Sequence, residues 1–115
     1  APGDKHLTIL TDGDGYLAHL KEGEKINRHR PSVDVLFRSV VSAAGESAVG
    51  LLLTGMGTDG AKGLAEMRQA GATTLAQDEA SCVVFGMPRI AIEQGAVQHV
   101  LDLEQMTRHL IERCW

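Results

Sequence analysis

The sequence contains few aromatic residues and only two cysteines. Aromatic residues make up 3% of the 115 residues, against 43% for all hydrophobic residues. A core would therefore consist mainly of aliphatic side chains. A chain of this length is one domain or part of one, and buries roughly two thirds of its unfolded surface. The cysteines, Cys82 and Cys114, show no paired spacing that would indicate a disulfide framework.

Long apolar runs and an excess of positive charge are also absent. No apolar stretch is long enough to span a membrane and no segment resembles a signal peptide, so we expect a cytoplasmic location, reduced thiols and no direct membrane insertion. The formal net charge is −4 and the isoelectric point is about 5.7. This balance gives no electrostatic surface for nucleic acid, and we expect no nucleic-acid partner.

The potential metal ligands do not form a recognisable set. The five histidines are scattered along the sequence, and the acidic residues Asp12 and Asp14 are not followed by the later ligands of an EF-hand loop. We therefore expect neither a metal site nor a cofactor.

The first part of the sequence predicts a hairpin and a helix. Residues 6–10 and 16–20 each have the composition of a short strand, and an Asp-Gly-Asp-Gly turn joins them. They predict an antiparallel hairpin at the edge of a sheet. Apolar residues at helical spacing predict a helix over residues 33–44, with Ser32 as its N-cap and Gly45 at its end.

The rest of the sequence alternates strands with helices, which is typical of an α/β fold with parallel strands. The predicted elements, in order, are strand 48–54, helix 61–70, strand 72–76, helix 81–84, helix 88–93, strand 96–100 and helix 102–112. On the last helix we expect four apolar side chains to face the core: Leu103, Met106, Leu110 and Ile111.

A glycine-rich turn follows the first of these strands, at the strand end where open α/β sheets bind ligands. Gly55-x-Gly57-x-x-Gly60, with Asp78 about twenty residues further on, fits a dinucleotide-binding fingerprint. In a second interpretation Asp59 is the orienting carboxylate of a hydrolase, since a carboxylate at a helix start would repel a pyrophosphate there. In a third, the glycines only form a turn and Asp59 only caps the helix. The local pattern leaves all three open.

Longer motifs carry a resemblance to a known family. They are residues 27–37 (NRHRPSVDVLF), 53–61 (LTGMGTDGA) and 76–89 (AQDEASCVVFGMPR), preceded by APGDKH at residues 1–6. In this order they resemble the catalytic domain of the bacterial chemotaxis receptor methylesterases of the CheB type. The resemblance extends from residue 1 to about residue 103. It implies part of a doubly wound, mostly parallel sheet with helices on both faces, in addition to the N-terminal antiparallel hairpin.

The resemblance also implies an activity and a site. The family hydrolyses glutamyl methyl esters on the cytoplasmic helices of chemoreceptors, and deamidates certain receptor glutamines, through a Ser-His-Asp triad. By motif, Asp59 corresponds to the triad aspartate, and the backbone N–H of Met56 contributes to the oxyanion hole. The implied partners are methylated chemoreceptor helices and an N-terminal receiver domain of the same protein, in a two-component signalling pathway.

Two triad members have no counterpart in this sequence. The family's serine lies in a Gly-x-Ser-x-Gly-like turn and its histidine in a Gln-His-Met-Pro-like segment, both upstream of the motif at residues 1–6. We therefore expect residues 1–115 to be the C-terminal part of a methylesterase domain, without the upstream strands and the receiver domain. Such a part would be inactive alone and able to self-associate through an exposed sheet edge. The alternatives are a non-catalytic receptor- or scaffold-binding module on the same fold and a dinucleotide-binding domain.

Overall fold

Two sheets, four α-helices and one short 3₁₀ helix (Gly45–Ser47) make up the described part of the chain. The structure is a computed structural model that describes residues 2–114, with side chains to residue 113. No helix in this range combines the length and the apolar character needed to cross a lipid bilayer. The elements are β1 (His6–Asp12), β2 (Gly15–Lys21), α1 (Val33–Ala44), β3 (Val49–Leu52), α2 (Ala61–Gln69), β4 (Thr73–Gln77), α3 (Met87–Glu93), β5 (His99–Leu101) and α4 (Leu103–Cys114).

Strands β1 and β2 form the predicted antiparallel hairpin, paired in register from His6 opposite Lys21 to Asp12 opposite Gly15. The hairpin is a separate two-stranded sheet, so the prediction that it lies at the edge of a larger sheet is wrong. The reason is that β1 packs on α1: the backbone N–H of Ile9 donates to Ser39 Oγ at 2.9 Å. A helix side chain thus occupies a position where a third strand would pair.

The second sheet confirms the predicted parallel α/β arrangement. Its strand order is β3-β4-β5, and both pairs are parallel. All five residues of β4 are buried, as expected for a central strand covered by helices. Strand β5 begins three residues later than predicted, because the side chain of Thr74 donates to the carbonyl of Ala96 at 2.7 Å before the ladder starts.

The core is aliphatic, as the composition predicts. Leu64 and Met67 on α2 are fully buried against Leu52 of β3, together with Phe37 of α1. Complete burial of a leucine or methionine side chain contributes about 1.5–3 kcal/mol. The helix α1 ends where the sequence predicts, at Ala44 followed by Gly45 with a φ of +51°.

Helices α1 and α2 approach each other closely at Gly63. A Cβ atom added there would lie 2.8 Å from Phe37 Cβ and 2.9 Å from Asp34 Oδ1. Real side chains do not tolerate such distances, so this helix pair requires a glycine at its crossing point.

Two predictions about the C-terminal half are wrong. Residues 81–84 form turns and not a helix, because Asp78 Oδ1 accepts hydrogen bonds from the backbone N–H and the hydroxyl of Ser81. Such local side-chain bonds compete with helix formation. On α4, Met106 is buried but Leu103 and Ile111 are each 51% exposed, so the face that packs on β4 and β5 is narrower than predicted.

Gly63→Ala is expected to destabilise the protein by about 1–3 kcal/mol through overpacking. The sign of the change in the free energy of unfolding is informative, because alanine is normally preferred over glycine inside a helix by about 1 kcal/mol. Urea unfolding measures the change, and Lys62→Ala on the exposed side of the same helix serves as the control. An increase in the free energy of unfolding on Gly63→Ala would contradict the close packing of α1 on α2.

Candidate functional site

The turn at residues 53–60 lies beyond the carboxyl end of β3. It is fixed against the loop before α3, since the carbonyl of Gly55 accepts from the N–H groups of Gly86 and Met87 at 3.1 and 2.9 Å. The hydroxyl of Thr54 adds two bonds, accepting from the N–H of Val84 and donating to its carbonyl. The turn at the sheet edge predicted to bind ligands is therefore held in place by hydrogen bonds to the loop before α3.

Met56 lies at the tip of this turn. Its residue surface is 80% exposed, and Gly57 follows it with a φ of +104°, a conformation that favours glycine. Within the described residues, the backbone N–H of Met56 donates to no backbone carbonyl. The turn thus carries a backbone donor without a backbone acceptor, three residues before Asp59.

Asp59 is buried and caps α1, the helix to which it does not belong. Its Oδ1 accepts from Asn27 Nδ2 at 2.9 Å, Ser32 Oγ at 2.8 Å and the N–H of Asp34 at 3.3 Å, and its Oδ2 accepts from the N–H of Val33 at 2.6 Å. The prediction that Asp59 only caps α2, the helix that follows it, is wrong, because its carboxylate caps α1 instead. Ser32 occupies the predicted N-cap position, but its side chain binds Asp59 and makes no capping bond.

Asp34 makes the reciprocal contact from the first turn of α1. Its Oδ1 accepts from the N–H groups of Gly60 and Gly63 at 3.1 and 2.7 Å, at the start of α2. Its Oδ2 accepts from Asn27 Nδ2 at 2.6 Å. The N-terminus of α1 is therefore capped by Asp59, just before α2, and the N-terminus of α2 is capped by Asp34, in the first turn of α1. The amide of Asn27 bridges the two carboxyl groups.

These contacts decide the charge of Asp59. Burial raises the pKa of its carboxyl, but the hydrogen bonds from Asn27, Val33, Ser32 and Asp34 together outweigh it and hold the pKa below the usual value. The carboxylate also lies at the positive end of the α1 dipole. Asp59 is therefore ionised at neutral pH.

The same geometry excludes the start of α2 as a pyrophosphate site. Its N–H groups at Gly60 and Gly63 already donate to Asp34, and two buried carboxylates would repel a bound phosphate. Asp78, the acidic residue of the dinucleotide interpretation, instead accepts from Ser81. The dinucleotide interpretation therefore has no structural support.

A serine, a histidine and an aspartate do meet here, but not as a triad. Ser32 Oγ donates directly to Asp59, whereas the ring of His6 bonds to backbone groups: Nδ1 accepts from the N–H of Ser32 at 3.2 Å, and Nε2 donates to the carbonyl of Glu24 at 2.8 Å. In a triad the imidazole lies between the other two. Ser32 and His6 are each 2% exposed, so this cluster is structural.

The sequence motifs point to Asp59 and Met56 but not to the residues that hydrogen-bond to Asp59. Asn27 and Asp34 were not singled out, although both lie in the residue 27–37 motif that carries the resemblance. A signal was available, since a motif that contains Asn and Asp beside an N-cap serine offers several polar groups to one helix start. Among the described residues, no group of three or more His, Cys, Asp or Glu side chains could hold a metal ion.

Asp59→Asn is expected to lower the free energy of unfolding by about 1–3 kcal/mol at pH 7, because it removes a charged acceptor of buried donors. The folded-state pKa of Asp59 is lowered, so its contribution is complete above the unfolded value of about 3.9 and is lost as the pH falls through the folded value. The difference between the two proteins should therefore shrink below about pH 4.

Urea unfolding between pH 3 and 7 measures this difference. Asp14→Asn, in the exposed hairpin turn, is the matched control and should change stability little at any pH. A difference between the Asp59→Asn variant and the parent that grows toward low pH would contradict the assignment.

Comparisons with known proteins agree with the fold and with the motifs. The family model for CheB methylesterase matches residues 1–110. A protein-glutamate methylesterase/protein-glutamine glutaminase of Photorhabdus laumondii is 59% identical over 113 residues, which are 98% of this chain and 32% of that protein. One of Anaeromyxobacter dehalogenans is 55% identical over 111 residues, covering 96% of this chain and 31% of the relative.

A solved structure gives the same result. The crystal structure of the Thermotoga maritima CheB methylesterase catalytic domain superimposes with a TM-score of 0.92 at 38% identity, covering 97% of this chain and 59% of that one. The chain spans about a third of the length of the curated relatives it matches, 32% in the Photorhabdus laumondii protein. From the family match, the sequence identity and the shared fold together, this chain belongs to the CheB methylesterase family.

Proposed function

We propose that this chain is the C-terminal part of the catalytic domain of a protein-glutamate methylesterase and glutaminase, in which Asp59 is the triad aspartate. The observation that carries the proposal is the geometry of Asp59: a buried carboxyl group that accepts four hydrogen bonds, in the turn beyond the carboxyl end of the parallel strand β3. The relatives named for this activity are up to 59% identical. The triad serine and histidine would come from sequence that precedes residue 1 in a longer protein.

The hydrogen bonds of Asp59 leave one position for a histidine. Its Oδ1 accepts three bonds and its Oδ2 only one, from Val33. Each carboxylate oxygen offers about two lone-pair sites, so Oδ1 is saturated by its three donors and Oδ2 keeps one site free. We therefore propose that Nδ1–H of the histidine donates to Oδ2. This bond would fix the histidine tautomer and stabilise the imidazolium formed during the reaction.

The reaction would proceed by acyl transfer. The serine hydroxyl attacks the ester carbonyl carbon and its proton passes to Nε2 of the histidine; the carbon–oxygen bond to the methoxy group then breaks, and methanol leaves with that proton. Water then hydrolyses the acyl-enzyme by the same sequence of proton transfers. Deamidation of a glutamine would follow the same path, with ammonia as the leaving group.

Met56 is proposed to stabilise the oxyanion. Its backbone N–H donates to no backbone carbonyl among the described residues, and it lies on a turn whose Gly55 carbonyl is held by two bonds, so it can donate to the negative charge that develops on the carbonyl oxygen. The role belongs to the backbone, so the Met56 side chain is free to contact substrate. Together with Val83, which is 91% exposed, it offers apolar surface to an amphipathic receptor helix.

The proposed partners follow from the same function. They are the methylated cytoplasmic helices of chemoreceptors and a receiver domain in the same protein. The proposed location is the cytoplasm, where these receptor helices lie.

Asp59→Asn in the longer protein is expected to reduce kcat for release of methanol from methylated receptor by about 10⁴-fold, the usual effect of losing the orienting carboxylate. Asp14→Asn should retain full activity. Residues 1–115 alone provide the baseline and should show no turnover, since loss of a triad nucleophile lowers kcat about a millionfold. Full activity of the Asp59→Asn variant, or turnover by residues 1–115, would contradict the proposal.

The upstream coding sequence gives an independent test of the domain assignment. We expect an in-frame segment with Gly-x-Ser-x-Gly after a strand, followed by a histidine segment. A start codon immediately before the codon for residue 1 would instead leave a protein on this fold without the triad serine, for which a receptor- or scaffold-binding role would replace the enzymatic one.

The outer edge of β3 is proposed to pair with a strand of the longer domain. Among residues 2–114 this strand pairs only with β4, so its other edge has free backbone groups. Residues 1–115 alone are therefore expected to self-associate in sedimentation velocity experiments at micromolar concentration, whereas the longer protein should not associate through this edge. If residues 1–115 remain monomeric at all concentrations, the proposal that the outer edge of β3 is free to pair would be contradicted.

A further inference from the structure

A strained turn lies beside the two buried carboxylates. Residues 26–29 form a tight turn closed at both ends, with the N–H of Ile26 donating to the carbonyl of His29 at 2.9 Å and the reverse bond at 2.8 Å. Both central residues have positive φ, +54° at Asn27 and +66° at Arg28. Asparagine tolerates this conformation better than most residues, but arginine does not. Strained backbone of this kind persists where the surroundings require it, and often serves a site.

The turn directs the amide of Asn27 to both carboxylates. Its Nδ2 donates to Asp59 Oδ1 at 2.9 Å and to Asp34 Oδ2 at 2.6 Å, so both amide protons are used. Asn27 itself is on the surface, whereas the residues it contacts are 6% and 1% exposed. The amide therefore covers the pair from the solvent side and supplies one donor to each carboxyl group.

The Asn27 bond increases the difference between the two oxygens of Asp59. Oδ1 is held by Asn27, Ser32 and the first turn of α1, while Oδ2 retains unused capacity. Without the Asn27 bond, three donors would remain: Ser32 Oγ and the Asp34 N–H on Oδ1, and the Val33 N–H on Oδ2. The carboxylate could then rotate about its Cβ–Cγ bond and redistribute its oxygens among them, since terminal carboxylate torsions are soft. The orientation of Oδ2 thus depends on a residue that lies outside the glycine-rich turn.

We infer that Asn27 is a positioning residue: its amide holds Oδ1 of Asp59 against Asp34 and leaves Oδ2 directed at the triad histidine. The inference rests on the proposed catalytic role of Asp59. It gives the left-handed conformation of Asn27 a role, since the residue so placed donates to both carboxyl groups.

A pair of glycine variants separates the amide from the backbone. Asn27→Gly keeps the left-handed turn, which glycine adopts freely, and removes both amide bonds. Arg28→Gly is the matched control, since it relieves the neighbouring left-handed residue and leaves the amide in place. In the longer protein, Asn27→Gly should lower kcat about ten- to a hundredfold, the effect of one hydrogen bond to a charged group, with little change in KM. Arg28→Gly should leave both constants near the parent values.

A second readout concerns Asp59 itself and does not require activity. Carbon-13 NMR of the Asp59 carboxyl should show a higher titration midpoint in Asn27→Gly than in the parent or in Arg28→Gly, because a donor to the charged form is lost. In the unsubstituted protein, the side-chain amide signals of Asn27 should shift with the Asp59 titration, a measurement that needs no variant.

The outcomes are distinguishable. An unchanged Asp59 midpoint in Asn27→Gly, or amide signals that do not follow the titration, would overturn the inference. A raised midpoint with kcat equal to the parent value would also overturn the positioning role. If Asp59→Asn is then fully active as well, the fault lies in the proposed role of Asp59 and not in its contact with Asn27.

Discussion

The exchange of carboxylates between α1 and α2 is the interaction on which the rest of this structure depends. Asp59 precedes α2 and caps α1, while Asp34 belongs to α1 and caps α2. Because each cap crosses to the other helix, the two helix starts cannot separate without leaving buried N–H groups and charges unpaired. The close approach at Gly63 and the position of the turn that carries Met56 follow from this arrangement.

The exchange also links stability to chemistry. Burying two carboxyl groups side by side is unfavourable unless each accepts several hydrogen bonds, and here backbone, hydroxyl and amide donors supply those bonds. The result is a fixed negative charge beyond the carboxyl end of β3, where α/β sheets place their sites. The structural cap is thus the same side chain that we propose as the orienting carboxylate. Its stabilising contacts occupy mainly one oxygen, which leaves the other for function.

Much of the fold could be predicted because its signals are local. The hairpin, the bounds of α1 and the parallel β3-α2-β4 unit follow from alternation, helical spacing and turn residues within each segment. The carboxylate exchange could not be predicted in this way, since Asp59 and its amide donor Asn27 are 32 residues apart. The local pattern also wrongly predicted a helix at residues 81–84, where the side chain of Asp78 accepts a hydrogen bond from the backbone N–H of Ser81. Asp59 and Met56 were located by motif, and their catalytic roles remain predictions.

A crystal structure of the longer protein, including the sequence that precedes residue 1, tests the central claim most directly. The account predicts that a histidine Nδ1 lies within about 2.6–3.2 Å of Asp59 Oδ2 while Oδ1 keeps its bonds to Asn27 and Ser32. A histidine bonded to Oδ1 in place of these residues, or no histidine within reach of Asp59, would contradict it.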